Sequence, residues 1–416
     1  MSFVASDRPV SVGIVLSGGG ARGAYEVGVL AGIVEALGLR PGDRAPFQVV
    51  SGTSVGAING AWIVANSHRG NLDVSELVRV WEALDLGVHL RVDVLGLLGL
   101  QRASLLRLLR RPDAAQFAST FGRSVLDPGG LEQLVRSTVD WGRMHDNVAR
   151  GLVQAFVVAA LHIGTGVTTM FAELAPGAVL GAMNDPRRVA RLEPIEAEHV
   201  LASAAIPFLF PARRVGRAFY ADGGLRFNTP IAPAIRAGAD KLVVISLRHE
   251  PPMRPAVIDD IGASAEQYPS VVFLLGKILN ALLLDPVAYD LQILERFNRL
   301  MDALNTVLTP DEWTRVAPVM VETRGTAYRR IDTLVFAPTE NIGIIAGDYL
   351  RVHRAQAKVG RFYEWLLGRA AHVGARWESD LASFLLFDGA FAARLIDLGR
   401  HDALAKSDAI RAFFAR

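Results

Sequence analysis

Residues 10–16 (VSVGIVL) are an apolar, largely β-branched run that ends at Ser17-Gly18-Gly19-Gly20. That is the pattern of a strand buried on both faces and running into a glycine turn. From residue 24 to residue 37 the apolar positions change period, with Val27, Leu30, Ile33, Val34 and Leu37 at helical spacing. Gly38 and Pro41 stop this predicted helix. The alternation then recurs, with a strand over 47–50 ending at Gly52-Thr53-Ser54-Val55-Gly56 and a helix over 57–66. Strand, helix, strand and helix in this order predict a parallel sheet with helices on both faces. Residues 241–247 (KLVVISL) read as a later core strand. Residues 152–171, interrupted by Gly164-Thr165-Gly166, read as a hairpin. Residues 72–150 carry helical patterns rich in Leu and Arg, and the chain beyond about residue 255 is mostly helical, with one strand-like run at 331–337. Pro251-Pro252 and Pro255 mark a linker. The predicted organisation is therefore an α/β core over 10–250 and a helical region over 256–416 packed on it.

Composition narrows what such a molecule can do. With 51% hydrophobic and 21% charged residues, the 416-residue chain has enough apolar surface for one large core or two ordinary ones. It has no cysteine, which excludes disulfides, thiolate metal sites and a cysteine nucleophile. The net charge of +2 implies no nucleic-acid partner, and the pI near 9.0 reflects abundant Arg. The first ten residues lack the basic and apolar regions of a secretory signal. Residues 271–284 are shorter than a spanning helix needs and contain Lys277 and Asn280. A cytoplasmic protein without a transmembrane helix is expected. Residues 86–111 combine many leucines with Arg102, Arg107, Arg110 and Arg111. This composition suits an amphipathic helix making transient contact with a membrane surface, or a core helix with an arginine-rich outer face.

Three segments carry chemistry, each ambiguous alone. Gly18, Gly20 and Gly23 match the G-x-G-x-x-G dinucleotide pattern, but the predicted second strand ends without the expected carboxylate, and Asp43 falls in a turn before it. What survives is a glycine loop at a helix start, whose N–H groups suit a phosphate or an oxyanion. The second segment, Gly52-Thr53-Ser54-Val55-Gly56, is a G-x-S-x-G elbow, where Ser54 is a nucleophile or merely a helix cap. The third, Tyr220-Ala221-Asp222-Gly223-Gly224, places a carboxylate on a turn, where it is either functional or an Asx-turn. Upstream of it, residues 201–211 (LASAAIPFLFP) suit one wall of an acyl pocket. An ordinary α/β-hydrolase is disfavoured, because only one strand–helix unit precedes Ser54 and no histidine occupies an evident triad position. His249, after a strand end, is the best triad partner available, and His162 reads as a core or strand residue.

In combination, GGGARGAYEVGVL, GTSVGAING and ASAAIPFLFP leading to DGG, in this order over residues 10–247, resemble the patatin-like phospholipases. The resemblance implies a three-layer α/β/α sandwich with a mostly parallel sheet and an added helical C-terminal region. It also implies a serine lipid acyl hydrolase acting on phospholipid or related esters. Ser54 would be the nucleophile and Asp222 its partner, in a Ser–Asp dyad without histidine. Gly18, Gly19, Gly20 and Arg22 would form the oxyanion block, supported by Gly52, Gly56, Gly223 and Gly224. The substrate would be a lipid ester, with neither metal nor organic cofactor. Ala212, where a second proline is common, and Val55 in the elbow are mild departures. The alternatives are a nucleotide-binding protein using the Gly18–Gly23 loop and a non-catalytic lipid-binding protein on the same fold. An aspartate with the ordinary pKa of about 3.9 is a poor base at neutral pH, so the dyad requires burial or a specific hydrogen bond. Oligomeric state and any role of the C-terminal third stay unassigned.

Overall fold

The computed structural model describes residues 9–92, 126–183, 185–207, 209–249, 271–324, 329–353 and 379–415. Most of the predicted membrane-contact segment 86–111 and the proline linker at 251–255 lie outside the described residues. The strands in chain order are β1 (Val12–Leu16), β2 (Val49–Thr53), β3 (Arg91–Val92), β4 (Leu126–Asp127), β5 (Ala155–His162), β6 (Thr168–Leu174), β7 (Arg188–Leu192), β8 (Arg213–Val215), β9 (Ala218–Asp222), β10 (Lys241–Ile245) and β11 (Asp332–Phe336). The helices that bear on the site and its two supporting layers are α1 (Ala24–Leu37), α2 (Val55–Asn66), α3 (Ser75–Glu82), α4 (Gly129–Thr138), α5 (Ala197–Ser203), α6 (Ile231–Arg236), α7 (Asp285–Val307), α8 (Ser379–Leu385) and α9 (Gly389–Leu404).

β1 lies inside a sheet of order β11-β10-β1-β2-β5-β6-β7, with β9 and β8 attached beside β5. Its neighbours β10 and β2 are parallel to it, as are β5 to β2 and β11 to β10. β6 returns antiparallel to β5, as the predicted hairpin requires. Side chains of β1 alternate between two cores. Ile14 and Leu16 pack with Leu30, Ile33 and Phe384 on one face, and Val15 with Ile231, Ala234 and Leu294 on the other. Covering both faces is what makes these strands apolar at consecutive positions. The result is a three-layer α/β/α sandwich.

Gly38 ends α1 in the left-handed conformation, at φ 62°, and its amide returns to the last turn. The C-terminal helices form part of one layer. α9 lies so close to α1 that a Cβ at Gly28 would come within 2.1 Å of the Ile396 carbonyl oxygen. The strand predicted at 331–337 joins the main sheet as β11, so the C-terminal region contributes to the sheet as well as to a helical layer.

One irregularity of the sheet sets up the site. Along one edge of β5, β2 pairs as far as Thr53 opposite Ala159. At the next residue β9 takes over that edge antiparallel, with Asp222 opposite Ala160. The end of β2 and the end of β9 therefore meet at adjacent positions on one strand, about 3.3 Å apart along it.

Candidate active site

Ser54 follows Thr53 directly and occupies the turn between β2 and α2, with φ 55° and ψ −127°. A serine at positive φ is strained, and it holds this conformation only where surrounding structure enforces it. Its side chain makes no capping hydrogen bond to α2, so the helix-cap reading does not describe the hydroxyl. The Ser54 amide donates to Ser203 Oγ at 2.8 Å, and Ser203 Oγ donates to the Ala159 carbonyl at 2.6 Å. α5 thus ties the elbow to β5. Gly52 and Gly56 let backbones touch, since a Cβ at either would lie 2.4–2.5 Å from the carbonyl oxygen of Gly56 or Leu16.

Asp222 is fully buried at the end of β9. Its amide donates to the Ala205 carbonyl, and the Gly224 amide donates to its Oδ1 at 2.7 Å. The Ser54 side chain also acts on this carboxyl, favouring its ionised form. Oδ2 itself has no hydrogen-bond partner. Burial outweighs these influences and raises the carboxyl to about 7. Gly223 permits the approach, as a Cβ there would sit 2.3 Å from the Ala159 carbonyl oxygen. Gly224 is equally crowded, since a Cβ on it would lie 2.7 Å from Asn228 Oδ1 and 2.9 Å from Asp222 Oδ1.

In the glycine loop some of the backbone amides are already engaged. The Gly18 amide donates to Asn228 Oδ1 at 3.0 Å, and Asn228 Nδ2 donates back to the Gly18 carbonyl at 3.1 Å. The Arg22 amide donates to the Gly19 carbonyl, and its guanidinium turns away from Ser54 toward α8. Neither backbone amide is therefore free to meet an oxyanion. The Gly19 and Gly20 amides donate to no acceptor among the described residues. Gly20, at φ 58°, lines the same cavity as Ser54.

That cavity is partly open to solvent. Its walls are mainly apolar and include Trp62, Leu77 and Trp81, with Val135 of α4 and Phe387 among the others. As the sequence predicts, residues 201–211 supply one wall, through Leu201, Ile206, Phe210 and Pro211. The charged side chains on the lining, Glu132 and Arg213, pair with each other. Ser203 and Asn228 escaped the sequence reading as structural parts of the site. Asn228 was visible only as a polar residue following the Asp-Gly-Gly turn.

The remaining sequence expectations fall elsewhere. His162 bonds to Thr165 in its own hairpin, and His249 Nδ1 bonds to the Pro338 carbonyl. Neither is hydrogen-bonded to Ser54 or Asp222. Asp43 accepts from the Arg40 amide within its exposed turn. Among the described residues, no group of three His, Asp or Glu side chains is placed to hold a metal, and no helix is long and apolar enough to cross a membrane.

Comparison with known proteins gives a family match and several distant likenesses. The patatin-like phospholipase family profile matches residues 14–235. A lysophospholipase nte1 from Aspergillus terreus is 51% identical over 51 residues, 12% of this chain and 3% of that protein. The neuropathy target esterase sws of Drosophila persimilis is 43% identical over 72 residues, 17% of this chain and 4% of that protein. The chain therefore matches only a small fraction of the length of these relatives. Among solved structures, human GIVD cytosolic phospholipase A2 with methyl γ-linolenyl fluorophosphonate is 14% identical, with a TM-score of 0.40 over 98% of this chain and 59% of that one. VipD from Legionella pneumophila is 13% identical, with a TM-score of 0.32 over 94% and 67%.

Proposed function

Since the chain belongs to the patatin-like phospholipase family, we propose that it is a serine lipid acyl hydrolase that cleaves fatty-acyl esters of phospholipids or related lipids through Ser54 and Asp222. The observation that carries this reading is the handover on β5, where Thr53 and Asp222 occupy adjacent registers and bring the strained elbow to a buried carboxylate.

In the reaction, Ser54 Oγ attacks the ester carbonyl carbon while its proton passes to Asp222. Oδ2 is the suitable acceptor, because Oδ1 is already held by the Gly224 amide. The Gly19 and Gly20 amides face the developing oxyanion, and the acyl chain lies along the apolar walls of the cavity. The tetrahedral intermediate collapses, the C–O bond breaks, and the alcohol leaves with the proton returned by Asp222. Water, deprotonated by the same carboxylate, then releases the fatty acid and restores the Ser54 hydroxyl. A residue with a pKa near neutrality can serve in both directions, which an ordinary aspartate cannot do well.

The nucleotide-binding alternative is disfavoured by the packing of the glycine loop. A Cβ at Gly20 would lie 2.2 Å from the Phe384 carbonyl oxygen, so protein backbone already fills that side of the turn. A fluorophosphonate probe followed by peptide mapping tests the hydrolase reading, with adduct expected on Ser54. Ser54→Ala and Asp222→Ala should each lower ester hydrolysis by at least about a thousandfold while far-UV circular dichroism is retained. A folded Asp222→Ala protein with full activity removes the carboxylate from the mechanism, and an unlabelled Ser54 favours a non-catalytic lipid-binding protein.

A further inference from the structure

Arg22 is buried at 4% exposure, and its guanidinium is held by residues far along the chain. Nε donates to Ser383 Oγ at 2.7 Å, and Nη2 donates to Asn280 Oδ1 at 3.2 Å. Nη2 also reaches Asp380, through both its carbonyl and its Oδ1, at 3.5 Å. Ser383 Oγ donates in turn to the Asp380 carbonyl, and Lys277 Nζ donates to Asp380 Oδ2 at 2.8 Å. The guanidinium lies 4.2 Å from the centre of the Phe384 ring. Burial pushes the group down to about 10, so it remains a cation at neutral pH with Asp380 as its counter-ion.

Three contacts join α8 and the residues just after it to the site. Arg22 is anchored as described. The backbone at Phe384 closes against Gly20, one of the two residues whose amides are open. Phe387 stacks on Trp81, with ring centres 6.5 Å apart, and both line the cavity at Ser54. The loop at Gly19–Gly20 is therefore braced on one side by Asn228 through Gly18 and on the other by α8 through Gly20 and Arg22.

We infer that Asp380 and Ser383 are positioning residues for the reaction: by fixing Arg22 they set where the Gly19 and Gly20 amides stand relative to Ser54, which makes α8 part of the active site. This rests on the hydrolase reading above. It assigns a task to residues beyond 235, where the family match ends. The guanidinium acts through the loop and does not touch the reacting atoms. Arg is suited to the task because its planar fork makes several directed bonds at once, which a lysine cannot reproduce.

The effect should appear in the chemical step. A donor displaced by about 1 Å costs up to about a hundredfold in rate, and loss of one oxyanion donor costs about a hundred- to a thousandfold. Asp380→Asn keeps the side-chain shape and removes the charge. We expect its kcat on a p-nitrophenyl acyl ester to fall about ten- to a hundredfold, with KM within about twofold of wild type, while the melting temperature also falls because buried Arg22 loses its counter-ion. The rate of phosphonylation of Ser54 should fall in parallel, because the phosphonyl oxygen uses the same amides. A residue that only stabilised the fold would lower the melting temperature but leave this kcat-to-KM split absent at temperatures where the variant is fully folded. Should Asp380→Asn fail to fold, Ser383→Ala removes one hydroxyl and carries the same test, with a several-fold loss in kcat expected. Wild-type kcat in whichever variant folds, alongside an inactive Ser54→Ala protein, overturns the positioning role alone. Retained hydrolysis by Ser54→Ala would instead overturn the hydrolase reading.

Discussion

The carboxyl of Asp222 is buried, with one oxygen engaged by an amide and the other without a hydrogen-bond partner. Its ionisation near 7 has a direct kinetic consequence. A general base works only when deprotonated, so kcat/KM should climb with pH and level off above an apparent pKa near 7. A profile that is already flat above pH 5 would mean that the base is not this carboxyl. At the residue scale the sequence marked Ser54 and Asp222 as candidates, because Gly52, Gly56, Gly223 and Gly224 announce turns in which little else fits. It says less about the glycine loop. A glycine motif says that the backbone can approach closely, but not which N–H groups are already occupied. The amide of Gly18 is occupied by Asn228, 210 residues away, and that of Ser54 by Ser203, 149 residues away. Pairings of that range leave no mark in a local pattern.

The first turn of α1 places Glu26 beneath the end of β1, where Oε1 accepts from the Ser17 amide and Oε2 from Asn59 Nδ2, both at 2.8 Å. Asn59 cannot rotate to suit a different partner, because its Nδ2 also donates to the Gly23 carbonyl and its Oδ1 accepts from Trp81 Nε1. This buried network joins β1, α1, α2 and the cavity wall. The hydroxyl oxygen of a protonated carboxyl can still accept a hydrogen bond, whereas the NH2 of a glutamine cannot, so Glu26→Gln would set an N–H against the Ser17 or Asn59 donor, and we expect it to cost about 1–3 kcal/mol at pH 7. Burial raises the Glu26 carboxyl to about 8. A raised carboxyl pKa means that the folded state holds the proton more tightly than the unfolded chain. Its contribution to stability is complete below the unfolded value and is lost as pH rises through about 8. The deficit of Glu26→Gln should therefore shrink in thermal melts as pH rises from about 5 to about 8 and level off above it, and a deficit that stays constant from about pH 5 to about pH 8 would show that Glu26 does not titrate there. Element by element, the sequence placed α1 at its observed limits because glycines flank the apolar period. The register of β9 on β5, which assembles the site, was hidden, since a four-residue apolar run carries no information about its partner. β11 was visible as a strand, yet nothing local showed that it extends the main sheet.

On the scale of the whole molecule, the family match ends at residue 235, but the architecture does not. β10 begins at Lys241 and is the direct parallel neighbour of β1, with every residue buried. A chain stopping at 235 would leave the strand that carries the glycine loop exposed along one edge. A cut before Ser379 is subtler, because the sheet would survive. It would nevertheless uncover the face of α1 that carries Tyr25, and it would remove the buried side chains of Phe384, Phe391, Leu395, Ile396 and Leu398. Burying a side chain of this size contributes about 1.5–3 kcal/mol, so five of them rival the roughly 5–15 kcal/mol by which an ordinary domain is stable. Truncation at 378 should therefore yield an insoluble or molten chain without esterase activity, seen as loss of the soluble fraction and of a cooperative melt. A soluble, cooperatively melting protein of residues 1–378 with wild-type kcat would show that α8 and α9 are an appended layer, and would contradict both this argument and the role given to Asp380. The physical basis for expecting the opposite is that the layer's contacts are backbone to backbone, at Gly20 with Phe384 and at Gly28 with Ile396. Surfaces that meet at this distance leave no room for water between them, and neither is formed to stand alone.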